Sequence, residues 1–216
     1  MPDYVGLVTA EDIPGSNRQG HMVHPLDEEE ILCSERITHF GQPVALVLAR
    51  TPTAAVTAAA RVQVTAEADS QPPSLSFDDI VDRQDWYSFE HDADDPANEP
   101  RERRFARGDK QAAFTEAERN PDRFCILDGR VEVGGQSCFY LEPQCAVAYP
   151  WSSGGARLVS STQSPAHVAR YVASALGVPE HKVDVEAGFI GGGFGGKQTR
   201  SASFAAMAAV AARKMD

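Results

Sequence analysis

The chain has 216 residues, of which 42% are hydrophobic and 24% charged, and its formal net charge is −11. These proportions are ordinary for a globular protein of one or two domains. The acidic balance argues against nucleic acid and anionic membranes as partners, because both are bound by basic surfaces. No apolar run reaches the roughly eighteen residues of a membrane span, and acidic residues stand where a signal peptide would be basic. We therefore expect a cytosolic protein.

The N-terminal part combines strand and helix patterns. Residues 4–9 alternate apolar and polar side chains, and the apolar run at 44–48 indicates a strand buried on both faces. Pro52 suits the first turn of a helix, which predicts a helix up to residue 61, followed by a strand at 62–66. Strand, helix and strand would form a βαβ-like unit. The polar residues 24–30 are predicted to be an exposed loop.

The middle of the chain is poor in residues that could form a core. Residues 77–81 are predicted to be a short helix. Residues 82–104 are dense in Asp, Glu, Arg and Pro, so we expect an interdomain linker there. A second short helix is predicted at 108–119, and Pro121 terminates it.

The C-terminal half is predicted to alternate strands and helices. Ser164 can cap a helix that begins at Pro165, has one apolar face and stops at Gly177. A final alanine-rich helix is predicted at 201–215. The predicted strands are residues 131–133, 139–141, 145–149, 157–161 and 182–186.

A glycine-rich loop joins the last strand to the last helix. Residues 191–196 contain five glycines and one phenylalanine, and Lys197 follows at once. Glycine lets the main chain approach a ligand closely, and a helix N-terminus attracts negative charge. We therefore predict bare backbone N–H groups that bind an anionic group. The alternative is a tight turn that only lets helix and strand pack.

Two phosphate-binding patterns fit this loop incompletely. Gly191, Gly193 and Gly196 match the dinucleotide pattern G-x-G-x-x-G, but no further strand with an acidic end follows the helix. Residues 191–197 match the start of a nucleotide-binding P-loop, but Gln198 stands where Ser or Thr would hold Mg²⁺. The spacing predicts an anion without naming it.

Two predicted strand ends carry candidate site residues. Gln163 follows one strand, and the glycine loop follows another. Since ligands of open α/β sheets collect at the carboxyl ends of strands, Gln163 and residues 191–198 are predicted to share one site. Glu132, Glu142 and Glu186 lie on or beside predicted strands as candidate acids, although surface or ion-paired glutamates are commoner.

Patterns typical of metal ligands and disulfides are absent from the sequence. The four cysteines show no C-x-x-C spacing, so we expect reduced, partly buried thiols. His21 and His24 form an H-x-x-H pair without a third ligand nearby, so we expect loop histidines without a metal. Because no proton-transfer group stands out, a cofactor-dependent reaction would need groups from outside this chain.

Ordered motifs span nearly the whole chain, at residues 11–17, 38–43, 77–80, 134–136, 139–142, 161–163, 191–197 and 199–201. Together they resemble the molybdenum-binding part of the xanthine dehydrogenase/aldehyde oxidase family, most closely its xanthine dehydrogenase branch. Each motif alone is weakly specific, whereas the set in this order is highly specific.

The resemblance implies an α/β (α+β) fold in three parts. An α/β hammerhead domain would occupy residues 1–81, with its beginning missing, and the acidic linker residues 82–104. Residues 105–216 would form part of the first molybdopterin-binding domain. The glycine loop would lie beside the molybdenum centre and its anionic pterin dithiolene, whose sulfurs hold the metal in place of protein side chains.

The resemblance also assigns roles to individual residues. Gln163 matches the glutamine that contacts an oxygen ligand of molybdenum, and Gly193, Phe194 and Gly195 match the cofactor-binding loop that lines the metal centre. Gln198 falls where xanthine dehydrogenases place a glutamate that hydrogen-bonds the purine. Glutamine keeps that hydrogen-bonding shape but loses the charge and the titration. The adjacent stretch at 164–167 is similar instead to aldehyde oxidases.

The activity that the resemblance implies is the oxidation of hypoxanthine or xanthine to urate, with water as the oxygen source. Electrons would pass from molybdenum through 2Fe-2S clusters and FAD to NAD. We expect those cofactors and the catalytic glutamate on other domains or subunits of a homodimeric enzyme, which leaves this chain inactive alone. The alternatives are an aldehyde oxidase-type hydroxylase, or a carbon monoxide or nicotinate dehydrogenase relative, a non-catalytic assembly fragment, and a P-loop protein.

Overall fold

The computed structural model describes residues 3–19, 29–68, 72–84 and 105–216. It divides into a larger unit, residues 1–64 with 135–216, and a smaller unit, residues 65–134. Most of the predicted linker (85–104) and the pair His21 and His24 lie outside the described residues. The described part of the chain has no helix whose length and hydropathy would let it cross a bilayer.

Both helices and strands are present, which confirms the predicted mixed α/β class. In the larger unit the strands are β1 (Tyr4–Val8), β2 (Arg18–Gln19), β3 (Glu29–Glu30), β4 (Leu46–Ala49), β5 (Ala146–Pro150), β6 (Ala156–Ser160) and β7 (Val183–Glu186). The α-helices among the described residues are α1 (Pro52–Ala59), α2 (Phe77–Arg83), α3 (Lys110–Arg119), α4 (Pro165–Leu176) and α5 (Arg200–Met215), with α2 and α3 in the smaller unit.

A three-stranded sheet in the order β5-β6-β7 forms the base of the C-terminal half. Strands β6 and β7 are parallel, with Leu158 opposite Val185, and β5 runs antiparallel to β6. Parallel neighbours need a crossover connection, and helix α4 supplies it. The order of strands and helices predicted for residues 157–215 is therefore confirmed.

Helix α4 buries one face and has the predicted ends. Pro165 occupies its first turn, and Gly177 ends it with a positive φ of 66°. Ser164 stands at the N-cap, but its side chain makes no capping hydrogen bond, which corrects the prediction. Its main-chain N–H instead donates to Thr162 Oγ1 at 3.0 Å.

Alanine side chains let helix α5 lie close to α4 and the sheet. Its buried positions include Ala202, Ala205, Ala206 and Ala209. They share one hydrophobic core with buried residues from the sheet, from α4 and from the N-terminal segment, and the N-terminal members are Val8, Ile13, Ile31 and Leu32. Residues far apart in sequence therefore build a single core in the larger unit.

The N-terminal ribbon corrects two predictions. Strand β4 pairs antiparallel with β1, with Leu46 opposite Val8, and these two strands form a sheet of their own. Each β4 residue is only half-buried, and only Leu46 and Leu48 pack against the core. Residues 62–66 form no strand, and the side chains of Val62 and Val64 are exposed. The predicted βαβ-like unit is therefore wrong.

Other predicted features also differ. Residues 131–133 and 139–141 form no strand, because their apolar side chains are exposed and Phe139 adopts a φ of 43°. The end of the predicted loop at 24–30 is strand β3, which pairs with β2. All four cysteines are free, yet Cys33 alone is half-buried, and burial raises the pKa of its thiol. The other three are exposed, not partly buried.

Candidate functional site

The glycine loop (residues 191–198) turns sharply between β7 and α5. Gly192 and Gly195 have φ values of 96° and 90°, and Phe194 has 50°. Glycine adopts this region easily, whereas phenylalanine rarely does, so the loop holds Phe194 against its own preference. The phenylalanine side chain is left 76% exposed at the apex of the loop.

The structure brings Gln163 and the glycine loop into contact, as the strand ends predicted. Gln163 Oε1 accepts hydrogen bonds from the N–H groups of Gly195 at 3.0 Å and Lys197 at 3.3 Å. A Cβ on Gly193 would lie 2.5 Å from the same oxygen, so any other residue there would displace the Gln163 side chain. Because two loop N–H groups hold Oε1, the NH₂ group of Gln163 points away from them and is left as a hydrogen-bond donor. Within the described ranges, no residue accepts from it.

Most N–H groups of the loop are engaged, which corrects the prediction that they are bare. The loop folds on itself, and the N–H of Gly196 donates to Gly193 O at 2.8 Å. Only the N–H groups at the apex, those of Gly192, Gly193 and Phe194, have no acceptor among the described residues. The engaged N–H groups are those of Gly191, Gly195, Gly196, Lys197 and Gln198.

A buried ion pair lies beneath the loop. The Lys197 side chain is fully buried, and its Nζ donates to Glu142 Oε2 and Ser161 Oγ, both at 2.8 Å. The same ammonium lies 4.8 Å from the centroid of the Tyr140 ring, within the range of a cation–π interaction. A carboxylate, a hydroxyl and an aromatic ring therefore take the place of the water that would surround an exposed ammonium.

Glu142 accepts three hydrogen bonds at one oxygen. Besides the Lys197 ammonium, Oε2 receives the Ser161 hydroxyl and the Gly191 N–H, each at 2.7 Å. The bonds from Lys197, Ser161 and Gly191, in that order of effect, lower the pKa of Glu142 to about 2. Its carboxylate is therefore ionised at neutral pH, although the side chain is 39% exposed.

The main chain of Lys197 is also tied to the end of strand β6. Its carbonyl oxygen accepts the Gln163 N–H at 2.9 Å, the Thr162 hydroxyl at 3.2 Å and the Ser201 hydroxyl at 2.9 Å. Gln144 Nε2 holds the neighbouring Gly196 carbonyl at 2.8 Å. These bonds join the far end of the loop to residues 161–163 and to the start of α5.

The remaining candidates lie on the surface. Gln198 is exposed just before α5, and its N–H donates to Gly195 O. Glu132 and Glu186 pair with Arg130 and Arg157 at exposed positions, as the commoner interpretation predicted. No group of three or more His, Cys, Asp or Glu that could hold a metal occurs in the described ranges.

Sequence reasoning missed the Lys197 side chain and named Glu142 only as one of three possible acids. The sequence did contain a signal for both, because Glu142 and Lys197 belong to the ordered motifs that carry the family resemblance. Which glutamate approaches the loop, however, depends on contacts between segments 55 residues apart, and no local pattern records those contacts.

Two family models together match most of the chain. The molybdopterin cofactor-binding domain matches residues 91–216, and the aldehyde oxidase and xanthine dehydrogenase a/b hammerhead domain matches residues 1–69. The chain belongs to the xanthine dehydrogenase/aldehyde oxidase family. The family resemblance seen in the motifs is thereby confirmed.

Relatives of both branches are similar to this member of the family. It is 38% identical to a xanthine dehydrogenase of Oryza sativa subsp. japonica over 98% of its own length. It is 34% identical to aldehyde oxidase 2 of Cavia porcellus over 99% of its length. The chain spans 14% of the length of either relative.

A solved structure supports the fold. The aldehyde oxidoreductase of Desulfovibrio gigas aligns with a TM-score of 0.69 at 24% identity. The alignment covers 100% of this chain and 23% of that one. This chain therefore shares the fold of the aligned part of that enzyme.

Proposed function

We propose that this chain supplies part of the molybdopterin site of a hydroxylase that oxidises hypoxanthine and xanthine to urate. The observation that carries the proposal is the contact between Gln163 and the glycine loop. There, the N–H groups of Gly195 and Lys197 donate to the side-chain oxygen of Gln163 and hold it in place. When bound, the cofactor would supply the two-electron oxidation, with water as the source of the oxygen atom.

The residues at the loop fit an anionic cofactor. The N–H groups of Gly192, Gly193 and Phe194 remain as donors at the apex, and the Gln163 NH₂ group is a further donor beside them. Gly193, having no Cβ, lets the Gln163 amide lie directly against the loop. Donors held by a rigid main chain need little reorganisation when they meet negative charge, which favours this use of the loop.

Gln198 is assigned to the substrate side of the same loop, whereas the main chain of Phe194 would line the cofactor. The exposed Phe194 ring would exclude water from a bound substrate, and Gln198 would offer it one acceptor and one NH₂ donor. An amide cannot stabilise developing charge as a carboxylate does. This property favours a second candidate, an aldehyde as substrate, and the identity to aldehyde oxidase 2 agrees with it.

The rest of the enzyme belongs to the proposal as well. We assign residues 1–81 to the hammerhead domain, 82–104 to a linker and 105–216 to the molybdopterin-binding domain. The catalytic glutamate, the 2Fe-2S clusters, FAD and the NAD site would reside on the remaining length of a homodimeric, cytoplasmic protein. This chain alone would be inactive.

The first experiment measures molybdenum and pterin in the native protein captured through this chain, with the intact mass of the carrier. We expect about one molybdenum per polypeptide that carries this sequence. A native protein without molybdenum would contradict the proposal.

The second experiment tests the substrate with the variant Gln198→Glu and a panel of purines and aldehydes. If the site takes purines, we expect kcat/KM for xanthine to rise about tenfold or more, because a carboxylate adds charge stabilisation to the hydrogen bond. The control Gln111→Glu changes an exposed glutamine of α3 in the same way. Unchanged purine turnover together with efficient aldehyde turnover would favour the second candidate.

A further inference from the structure

The proposed function assigns no contact with cofactor or substrate to the Lys197–Glu142 ion pair. A fully buried lysine is expensive to desolvate, and a buried pair is often no more stabilising than apolar residues of similar size. Stability is therefore a weak reason for its presence. Its position relative to the loop suggests a different one.

The pair fastens both ends of the glycine loop. At the beginning, Glu142 Oε2 accepts the Gly191 N–H at 2.7 Å. At the other end, the same oxygen accepts the Lys197 ammonium at 2.8 Å. Ser161 lies between them, because its hydroxyl donates to Glu142 and accepts from Lys197. One carboxylate oxygen therefore sets the distance between Gly191, at the start of the loop, and Lys197, near its end.

The main chain of Lys197 transmits this constraint to Gln163. The Lys197 N–H donates to Gln163 Oε1, and the Lys197 carbonyl accepts the Gln163 N–H at 2.9 Å. The side-chain tether thus fixes the backbone that orients the Gln163 amide. If residue 197 moved, one of the two donors that hold Oε1 in place would be lost.

We propose that Lys197 and Glu142 are positioning residues, which hold the glycine loop closed at its base and thereby orient the Gln163 NH₂ group. This inference rests on the proposed function, because Gln163 is there the residue that faces the cofactor. The pair touches neither cofactor nor substrate itself. It acts through Gln163 and through the apex of the loop.

A positioning role and a merely structural one predict different results for a double variant. Lys197→Met alone leaves the Glu142 carboxylate without its cation, and Glu142→Gln alone leaves the fully buried Lys197 ammonium without a compensating charge, so both interpretations then expect a lower Tm. In Glu142→Gln/Lys197→Met the buried charge is gone, and Met can fill the space against Tyr140. The Tm should recover in this double variant, whereas the tether between the ends of the loop stays broken.

The experiment uses the full-length native protein and the three variants. Tm is measured together with amide hydrogen exchange of the peptide that spans residues 188–200, and with kcat and KM per bound molybdenum. The double variant should show wild-type Tm, loop exchange faster by about tenfold, and kcat lower by about 10- to 100-fold with KM nearly unchanged, because small misplacements at a reaction centre reduce the rate strongly.

A matched control removes one negative and one positive charge elsewhere. Glu180→Gln/Lys182→Met makes the same two chemical changes in the short 3₁₀ turn before β7, where Lys182 Nζ contacts only the Ser153 carbonyl among the described residues. We expect exchange of the loop and kcat in this control to equal those of the wild type.

Two results would overturn the inference. If kcat recovers together with Tm in the double variant, the pair is structural. If loop exchange is unchanged in the double variant, the pair does not hold the loop. The exchange measurement needs no molybdenum, so an enzyme without metal would contradict the proposed function while the exchange still decides whether the pair positions the loop.

Discussion

The N-terminal ribbon and the C-terminal sheet-and-helix layer of the larger unit use apolar residues differently. In the layer, Leu158 and Val168 are fully buried, because α4 and α5 cover the sheet. In the ribbon, the equally apolar β4 is half-buried along its whole length. The same local pattern thus gives different burial, and the difference depends on which partners the fold provides.

The largest expected effect sharpens this comparison. Leu158→Ala should lower the free energy of unfolding by about 4 kcal/mol, because the side chain is fully buried and its removal leaves a cavity. Leu48→Ala in the half-buried ribbon should lower it by about 1 to 2 kcal/mol, since water already reaches part of the side chain. Urea denaturation of the chain measures both. Equal losses would contradict the contrast between the two regions.

A smaller effect is expected where the N-terminal segment meets the layer. A Cβ on Gly15 would lie 2.1 Å from the Ser174 carbonyl oxygen and 2.6 Å from the Gly177 nitrogen, and both are main-chain atoms that cannot move aside cheaply. Gly15→Ala should therefore lower the free energy of unfolding by about 2 to 3 kcal/mol.

Gly6→Ala is the matched control for this change. A Cβ on Gly6 would meet nothing within 4 Å, so a change near zero is expected. A neutral Gly15→Ala in the same urea measurement would show that the N-terminal segment does not dock on α4 as described.

The parts of the fold that could be predicted have their determinants close in sequence. Helix α4 was predicted to within a residue, because Pro165, Gly177 and an apolar face mark it locally. The strand expected at 62–66 is absent because β4 pairs instead with β1, about 40 residues earlier, and residues 62–66 pair with neither strand of this ribbon. A pattern indicates that a segment could be a strand, but pairing decides whether it becomes one.

The candidate site shows the same division. Gln163 and the glycine loop were predicted to meet, because both follow parallel strands whose carboxyl ends share one edge. The engagement of the loop N–H groups was not predictable, since it depends on Glu142 and Gln163 arriving from other segments. These side chains lie outside the loop and accept from its N–H groups, so the sequence of the loop alone could not show that the donors are engaged.

The smallest expected effect concerns pH and separates Glu142 from exposed glutamates. Its pKa is lowered from 4.5 to about 2, so its stabilising contribution is complete above pH 4.5 and is lost as the pH falls towards about 2. The difference in unfolding free energy between the wild type and Glu142→Gln should therefore be constant near neutral pH and shrink across this interval. Because the side chain is 39% exposed, water screens the interaction and keeps the effect modest.

Glu180→Gln provides the reference for this titration, because Glu180 lies exposed in the turn before β7. Its difference from the wild type should stay near zero across the same interval, since its exposed carboxylate has no hydrogen bond or ion pair with the described residues to lose. A Glu142→Gln difference that does not change with pH would mean that the carboxylate gains nothing from Lys197, Ser161 and Gly191. The ion pair beneath the loop would then stabilise the fold no more than an exposed surface charge does.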